Sequence, residues 1–566
     1  MNPLVNNWTY GETSPKFGGR FDISVYQQGC NTLENFIPMK QGGIKRRPPL
    51  KHLADTVACR IIPFTLSGGQ SYILEFSNGK LSIWEETEEG FSKLMFIVNT
   101  VEQDYLASPY SGTQIWEFQY AQYYDRMYFA HRDVQQRCLY YNAGGAGASF
   151  EFSPFSLQTE DDENLGRASQ SQHYPGVVAI CQNRLWFAST HANPYTMWAS
   201  RPYEDIGSHA DFTVKDDATS TVEVLKDPTG WPTKTDEEGH VVYDLSDPDA
   251  LIETITETEE VITARCAMEL ELASGRNDRI SWIAPQNNVI VGTEVSEWML
   301  PFDIDPTKQS ASMQSSYGCV SIQPVTLNNG LFYIQNGNRL REYSISSEGI
   351  GNFDHSFTAD HMLSTGVRQM VSMRSPEPML VLLLSNGTLA VFVYDRMYDI
   401  QAWSRWTTNG TFISIAVKES TGGVERLVAV VKRGENYYLE YFDFDESAHF
   451  IDRYEAIVEG QQQSLNSNVS YVSKMVGNRF DFQSESGVSI GRSKKVREVW
   501  VRCLNTGRIK TGVEEAYMET SPETIGSADY RLMVSGGSRK ELSMHIESVG
   551  DEPLTLLAMT YDVEVN

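Results

Sequence analysis

Ten histidines, seven cysteines and 74 carboxylates are the residues from which a hydrolytic or metal site would have to be built, and their spacing offers none. No HExxH string occurs. His355 and His361 are six positions apart, which does not stack them on one helical face. On a strand they would share a face about 20 Å apart, at a rise of about 3.3 Å per residue, too far to hold one metal ion. The cysteines (Cys30, Cys59, Cys138, Cys181, Cys266, Cys319 and Cys503) stand singly, without a CxxC pair. They read as free thiols buried as small apolar residues, in a protein that folds in a reducing cytosol. No serine is expected in a nucleophile elbow, and no Walker or dinucleotide loop is read. The glycine-rich string 143–148 reads as a flexible link. The expectation is therefore a non-enzyme with no catalytic, metal or cofactor residues.

The charged residues are more telling. Lys+Arg total 46 against 74 Asp+Glu, a net charge of −28. Phosphate binding is driven by Lys and Arg displacing counterions, so so acidic a chain is not expected to grip nucleic acid or an anionic membrane stably. The sharpest basic cluster is Lys45-Arg46-Arg47, expected to pair with carboxylates of a neighbouring subunit as an assembly contact. Between positions 216 and 260 lie 14 carboxylates and two lysines. Asp216, Asp217, Asp236, Glu237, Glu238, Glu257, Glu259 and Glu260 are the candidates there for an acidic channel lining or surface patch. Tryptophans such as Trp8, Trp84, Trp186, Trp198, Trp231, Trp282, Trp298, Trp403 and Trp406 could be sugar platforms, but most end a strand-like run, where a sheet core is the simpler role.

The elements that carry these residues are overwhelmingly strand-like. Tyr72 to Trp84 has two such runs flanking Asn78-Gly79, a tight-hairpin signal. The same grammar recurs with turn centres near 78, 131, 191, 292, 337, 386 and 434. These intervals are roughly 50 residues, with one about double, as in the blades of a β-propeller. A blade cannot cover its own faces, so blades stack around an axis and bury one another. The fold class is mainly β: an irregular propeller of about six blades, with a sandwich of long hairpins as the alternative. The organisation expected is an extended arm over 1–55, held by its neighbours as a docking or platform segment, and first blades over 56–202. An acidic insertion over 203–279, remaining blades over 280–445 and a C-terminal β module over 446–566 complete it. No run approaches the ~20 apolar residues of a membrane span, the longest being Met379 to Leu384, and the first residues have no signal-peptide pattern.

One set of strings goes further. Gly11-Glu-Thr-Ser-Pro15, Gly19-Arg-Phe-Asp22, Tyr26, Gly29-Cys30, Leu33-Glu-Asn-Phe36 and Gly42-Gly-Ile-Lys-Arg-Arg-Pro48 open the chain. Asn183-Arg-Leu-Trp-Phe-Ala188, Trp198-Ala-Ser200, Ile290 to Trp298 and Ser315-Ser-Tyr-Gly318 follow. Asn338 to Tyr343, Thr358 to Leu363 and Gln401 to Trp406 complete the series. Together they resemble, in order, the tail nozzle proteins of short-tailed bacteriophages, also called tail tubular protein B or head–tail stabilisation proteins. The match is loosest in the acidic insertion and the C-terminal module.

The resemblance implies a propeller with a β-rich platform, assembled as a homohexameric ring at the distal end of a short tail. Such a ring continues the DNA channel, retains the genome before infection and lets it pass on ejection. Implied partners are the adaptor and portal-side ring proteins, tail fibres or spikes, and double-stranded DNA in transient passage. The implied location is the virion, assembled in the host cytoplasm, with no catalytic residues and no cofactor. The alternative is a glycan-binding or glycan-degrading propeller used in host surface recognition.

Overall fold

The computed structural model describes residues 4–566 except 67–69, 88–89, 99, 143–148, 160–164, 166–170, 204–208, 273–274, 276–277, 287, 302–304, 309, 347–348, 420–423, 446–449, 453–468, 482, 485–486, 514, 516–517 and 566. The glycine-rich string 143–148 lies outside the described residues.

Seven four-stranded antiparallel units follow one another along the chain. Blade I is Arg60–Thr65, Ser71–Ser77, Lys80–Thr87 and Gly90–Lys93; blade II is Gln119–Tyr123, Arg126–His131, Val134–Asn142 and Ser149–Pro154. Blade III is Val177–Cys181, Arg184–Ala188, Thr196–Ala199 and Met268–Glu271; blade IV is Ile280–Pro285, Val289–Thr293, Glu297–Leu300 and Ser312–Ser315. Blade V is Val325–Leu327, Gly330–Gln335, Arg339–Ser346 and Gly349–Asp354; blade VI is Val367–Met373, Met379–Leu384, Leu389–Asp395 and Ile400–Trp406. Blade VII takes Thr411–Glu419, Glu425–Arg433 and Asn436–Phe442 from the end of the propeller segment, and its fourth strand, Leu50–Thr56, from near the N-terminus.

Each blade buries both faces against its neighbours, which explains strands with no polar alternation, such as Met379–Leu384, whose six residues are all buried. Seven apolar clusters close the circuit. Phe76 and Phe129 join I to II, Tyr128 and Leu185 join II to III, and Trp186 and Ile283 join III to IV. Trp282 and Tyr333 join IV to V, Phe332 and Leu380 join V to VI, Val391 and Ala429 join VI to VII, and Ile73 and Val428 join VII back to I. The propeller is confirmed with seven blades rather than about six. Each turn centre read from the sequence falls in or beside the hairpin between the second and third strands of one blade.

Three expected boundaries change. The acidic insertion ends before Met268, because Met268–Glu271 pairs with Thr196–Ala199 as the outermost strand of blade III. Segment 1–55 is built into its neighbours as paired strands rather than as an extended arm. Gly11–Glu12 and Gly29–Glu34 extend the sheet of blade VI, Phe36–Pro38 and Ile44–Arg46 enter a second sheet, and Leu50–Thr56 closes blade VII. The C-terminal module is likewise not self-contained. Its core mixes Leu33, Phe36 and Ile44 with Val499, Val501, Leu532, Ile546 and Met559. We call this mixed unit the platform. A ten-stranded sheet runs from blade VI through the two N-terminal strands into Lys474–Gly477, His545–Ser548, Ile509–Gly512 and Glu519–Thr520 of the platform.

All seven cysteines are buried and unpaired. Burial holds the thiols of Cys30, Cys59 and Cys319 well above their ordinary range. The native protein should therefore leave a thiol reagent unconsumed at pH 8 and consume seven equivalents once unfolded in guanidinium; rapid reaction before unfolding would show a thiol at the surface.

Candidate functional site

The expected assembly cluster is turned inward. Arg47 has no exposed side-chain surface, nor has its partner Asp452. Its Nη1 and Nη2 donate to the two carboxylate oxygens of Asp452 at 2.9 and 2.7 Å, its Nε to Asn35 Oδ1 at 2.9 Å, and Nη2 also to the Thr407 carbonyl at 2.8 Å. The guanidinium lies 3.6 Å from the ring centroid of Tyr471, whose hydroxyl donates to the Arg47 carbonyl at 2.7 Å. Asp452 accepts two further bonds, from Leu50 N at 3.0 Å and Thr408 Oγ1 at 2.7 Å. Arg46 is also buried, donating to the carbonyls of Glu552 and Tyr471, each at 2.7 Å. Lys45 pairs with Glu377 of the blade VI hairpin at 3.5 Å. The docking role expected for Arg46 and Arg47 is thus corrected. Both guanidiniums are used within the chain, where a buried planar fork can satisfy several fixed acceptors at once.

What they hold is the joint between blade VI and the platform. Thr407 follows the last strand of blade VI, Asn35 separates two N-terminal strands, and Tyr471 leads into the platform strand Lys474–Gly477. A second node lies alongside. Buried Glu12 accepts from Leu33 N at 2.9 Å and Arg405 Nη2 at 2.5 Å, and lies 2.8 Å from His361 Nε2. Ser14 donates to Asp360 at 2.7 Å. Gly11, at φ +61°, packs so closely on Trp403 that a Cβ would lie 2.1 Å from the Trp403 carbonyl oxygen. His361 is thereby a carboxylate partner, as is His355, which lies 2.8 Å from Glu342.

The acidic insertion forms a two-stranded ribbon, Asp216–Leu225 against Ile252–Val261, about 33 Å long at ~3.3 Å per residue. A small hairpin of Thr233–Thr235 and Val241–Tyr243 lies within it, where Trp231 meets Tyr243 edge-on at 5.4 Å. Two of the candidate carboxylates serve the fold. Asp216 ties the ribbon base to the propeller through Arg201 at 2.7 Å and Thr263 Oγ1 at 2.9 Å, and its hydrogen bond with Arg201 holds the carboxyl below its usual range. Asp236 organises its turn by accepting from the backbone of Glu238 and His240. Asp217, Glu237, Glu238, Glu259 and Glu260 are exposed. Asp217 stands directly opposite Glu260, a like-charge pairing relieved by Lys215, 2.6 Å from Glu260; Glu257 lies opposite Ser220.

The propeller axis is bridged. Gln119 of blade II donates across the centre to the Ser281 carbonyl of blade IV at 2.6 Å. Gln323, entering blade V, donates to the Tyr120 carbonyl of blade II at 2.8 Å. Cavities of about 510 and 650 Å³ occupy the two mouths. The tryptophans expected in the core are there, with Trp8, Trp186, Trp282, Trp403 and Trp406 fully buried. One string escaped the sequence reading: Gly487-Val-Ser-Ile-Gly491 has nucleophile-elbow spacing. Its Ser489 is buried on a segment that leads into the strand Lys494–Cys503, not the strand-to-helix turn an elbow needs.

No family model matches the chain, and no curated protein matches it. Among solved structures it is similar to the RRP9 WD40 repeats, at 8% identity and a TM-score of 0.34 over 70% of this chain and 100% of that one. It is similar also to the Neurospora crassa Pan2 WD40 domain (7%, 0.34, 70% and 96%) and to YCF48 from Cyanidioschyzon merolae (9%, 0.35, 69% and 98%). The propeller assignment rests on the strand pairings and the closed circuit of interfaces.

Removing one member of the Arg47–Asp452 pair strands the other charge in a dry site. Asp452→Ala should lower stability by about 3–5 kcal/mol, read from the urea midpoint. The double variant Arg47→Met/Asp452→Leu should recover much of that loss. Equal damage from single and double variants would show that hydrogen bonding to Asn35 and Thr407, not charge pairing, holds the joint.

Proposed function

We propose that the chain is a structural ring subunit of the tail-nozzle kind, a passive segment of a phage DNA conduit. The observation that carries this reading is where the resembling strings fall. Gly11 to Pro15, Leu33 to Phe36, Gly42 to Pro48, Thr358 to Leu363 and Gln401 to Trp406 supply Gly11, Glu12, Ser14, Asn35, Arg46, Arg47, Asp360, His361, Trp403 and Arg405, which build the joint between propeller and platform. A subunit that retains a genome must transmit load without hinging, and a sheet continuous across two units with a buried ionic lock suits that task.

With the propeller's own axis bridged, the DNA path in this reading runs between copies, in a homohexamer capped by adaptor-side rings and contacted by fibres or spikes. Exposed carboxylates of the ribbon face the passing duplex and repel its phosphates, so that it slides without adhering. Assembly takes place in the bacterial cytoplasm and the mature location is the virion.

Negative-stain images of the purified chain should show six-fold annuli with an axial hole; a compact monomer or an intertwined trimer at all concentrations would overturn the ring. The variant Glu237→Lys/Glu238→Lys/Glu259→Lys/Glu260→Lys should convert a particle that passes through DNA-cellulose into one retained in a salt-dependent way and should slow ejection. Unchanged ejection would remove the ribbon from the conduit.

A further inference from the structure

The smaller axial cavity, at the mouth where Val177, Ile280 and Val367 begin the inner strands of blades III, IV and VI, has a charge arrangement that the fold does not require. Arg132 is laid across Gly176, where a Cβ would lie 2.7 Å from its Cγ and 2.8 Å from its Nε. Its Nε donates to the Ser189 carbonyl at 3.1 Å and its Nη2 to the Ser189 hydroxyl, and among the described residues no carboxylate lies within ion-pair distance. Arg279, on the same mouth, gives Nη2 to Glu294 at 2.7 Å; its Nε is buried, so a ligand would meet the terminal nitrogens.

The other carboxylates around the mouth are occupied. Glu117 lies 3.2 Å from His131 Nε2 and Asp133 lies 2.8 Å from His191 Nε2. Two guanidiniums are therefore fixed at one opening with donor capacity left over. We propose that this mouth binds a carboxylated sugar, its carboxylate held by the forks of Arg132 and Arg279.

The chemistry around the forks selects that class. A cavity of about 510 Å³ is within the usual range of small-ligand sites, ~300–1,000 Å³. Ser321 and His191 line it as partners for hydroxyl groups, and Val177, Ile280 and Val320 offer an apolar wall to the C–H face of a pyranose. Against the two guanidiniums stand the carboxylates of Glu117, Asp133 and Glu294, whose repulsion penalises a phosphate dianion more than a monoanion. Burial, and then the neighbouring Arg279, pull Arg132 down to about 10, with Glu294 and Asp133 opposing the shift.

Calorimetric titration of the full chain with galacturonate tests this, with its uncharged methyl ester and inorganic phosphate as further probes. Galacturonate should bind, the ester should bind more weakly, and Arg132→Gln should reduce affinity at least about tenfold, the scale of a lost charge-assisted bidentate contact. Gly176→Ala, which keeps the charge but displaces Arg132, should weaken binding in the same direction with the thermal midpoint retained. No binding of galacturonate to the intact chain, affinity in either variant unchanged from the intact chain, or phosphate binding as tight as galacturonate would each overturn the assignment. The titration is indifferent to ring formation, so its failure leaves the conduit reading standing, and the reverse holds too.

Discussion

Arg47 and Asp452 form the contact on which the relation between the two halves of the molecule depends. A buried ion pair adds little net stability, because desolvating two charges offsets most of their attraction. Its value here is geometric. The guanidinium fork reaches Asp452, Asn35 and Thr407 at once, and the carboxylate returns bonds to Leu50 and Thr408. Those residues belong to the N-terminal strands, the exit of blade VI, the entry of blade VII and the approach to the platform. A small displacement of any one leaves a polar atom unsatisfied in a dry site, so the arrangement is stiff against hinging.

The propeller and the ribbon handle charge in opposite ways. At the centre of the propeller Gln119 and Gln323 bond to carbonyls of facing blades, and the apolar interfaces supply cohesion. On the ribbon, ten paired positions carry a run of carboxylates, anchored at the base by Arg201 and Lys215. Placing like charges on a thin projection with water on both sides keeps their mutual repulsion screened, whereas the same residues on a blade face would have to be desolvated.

Much of the architecture was legible in the residues. Strand–turn–strand runs marked one hairpin per blade, and in four of them Gly79, Gly337, Gly387 or Gly434 supplies the positive φ that a tight turn needs. Seven turns imply seven blades only if the last is completed, and the completing strand, Leu50–Thr56, has no local signal of its partner Asn436–Phe442. The same lack of long-range information hid the fate of Arg46 and Arg47. A basic triplet ordinarily signals a surface, and nothing near it in sequence announces Asp452 or Tyr471. The end of the insertion was missed because Met268–Glu271 is short and follows a long acidic stretch. The axial mouth was invisible for a related reason: Arg132 and Arg279 come from different blades, and Gly176 from a third.

Completion of the last blade by a strand from the opposite end of the chain constrains how the molecule is made. Arg47 and Asp452 are 405 positions apart, so on the ribosome Arg47 and the strand Leu50–Thr56 emerge long before their partners exist. Until blade VII has been translated, six blades form an arc with two raw edges, and any nascent fragment ending earlier presents those edges to other chains. Closure is then a late, ring-locking event with a large loop-entropy cost. The N-terminal strands act as the clasp that converts an arc into a finished wheel.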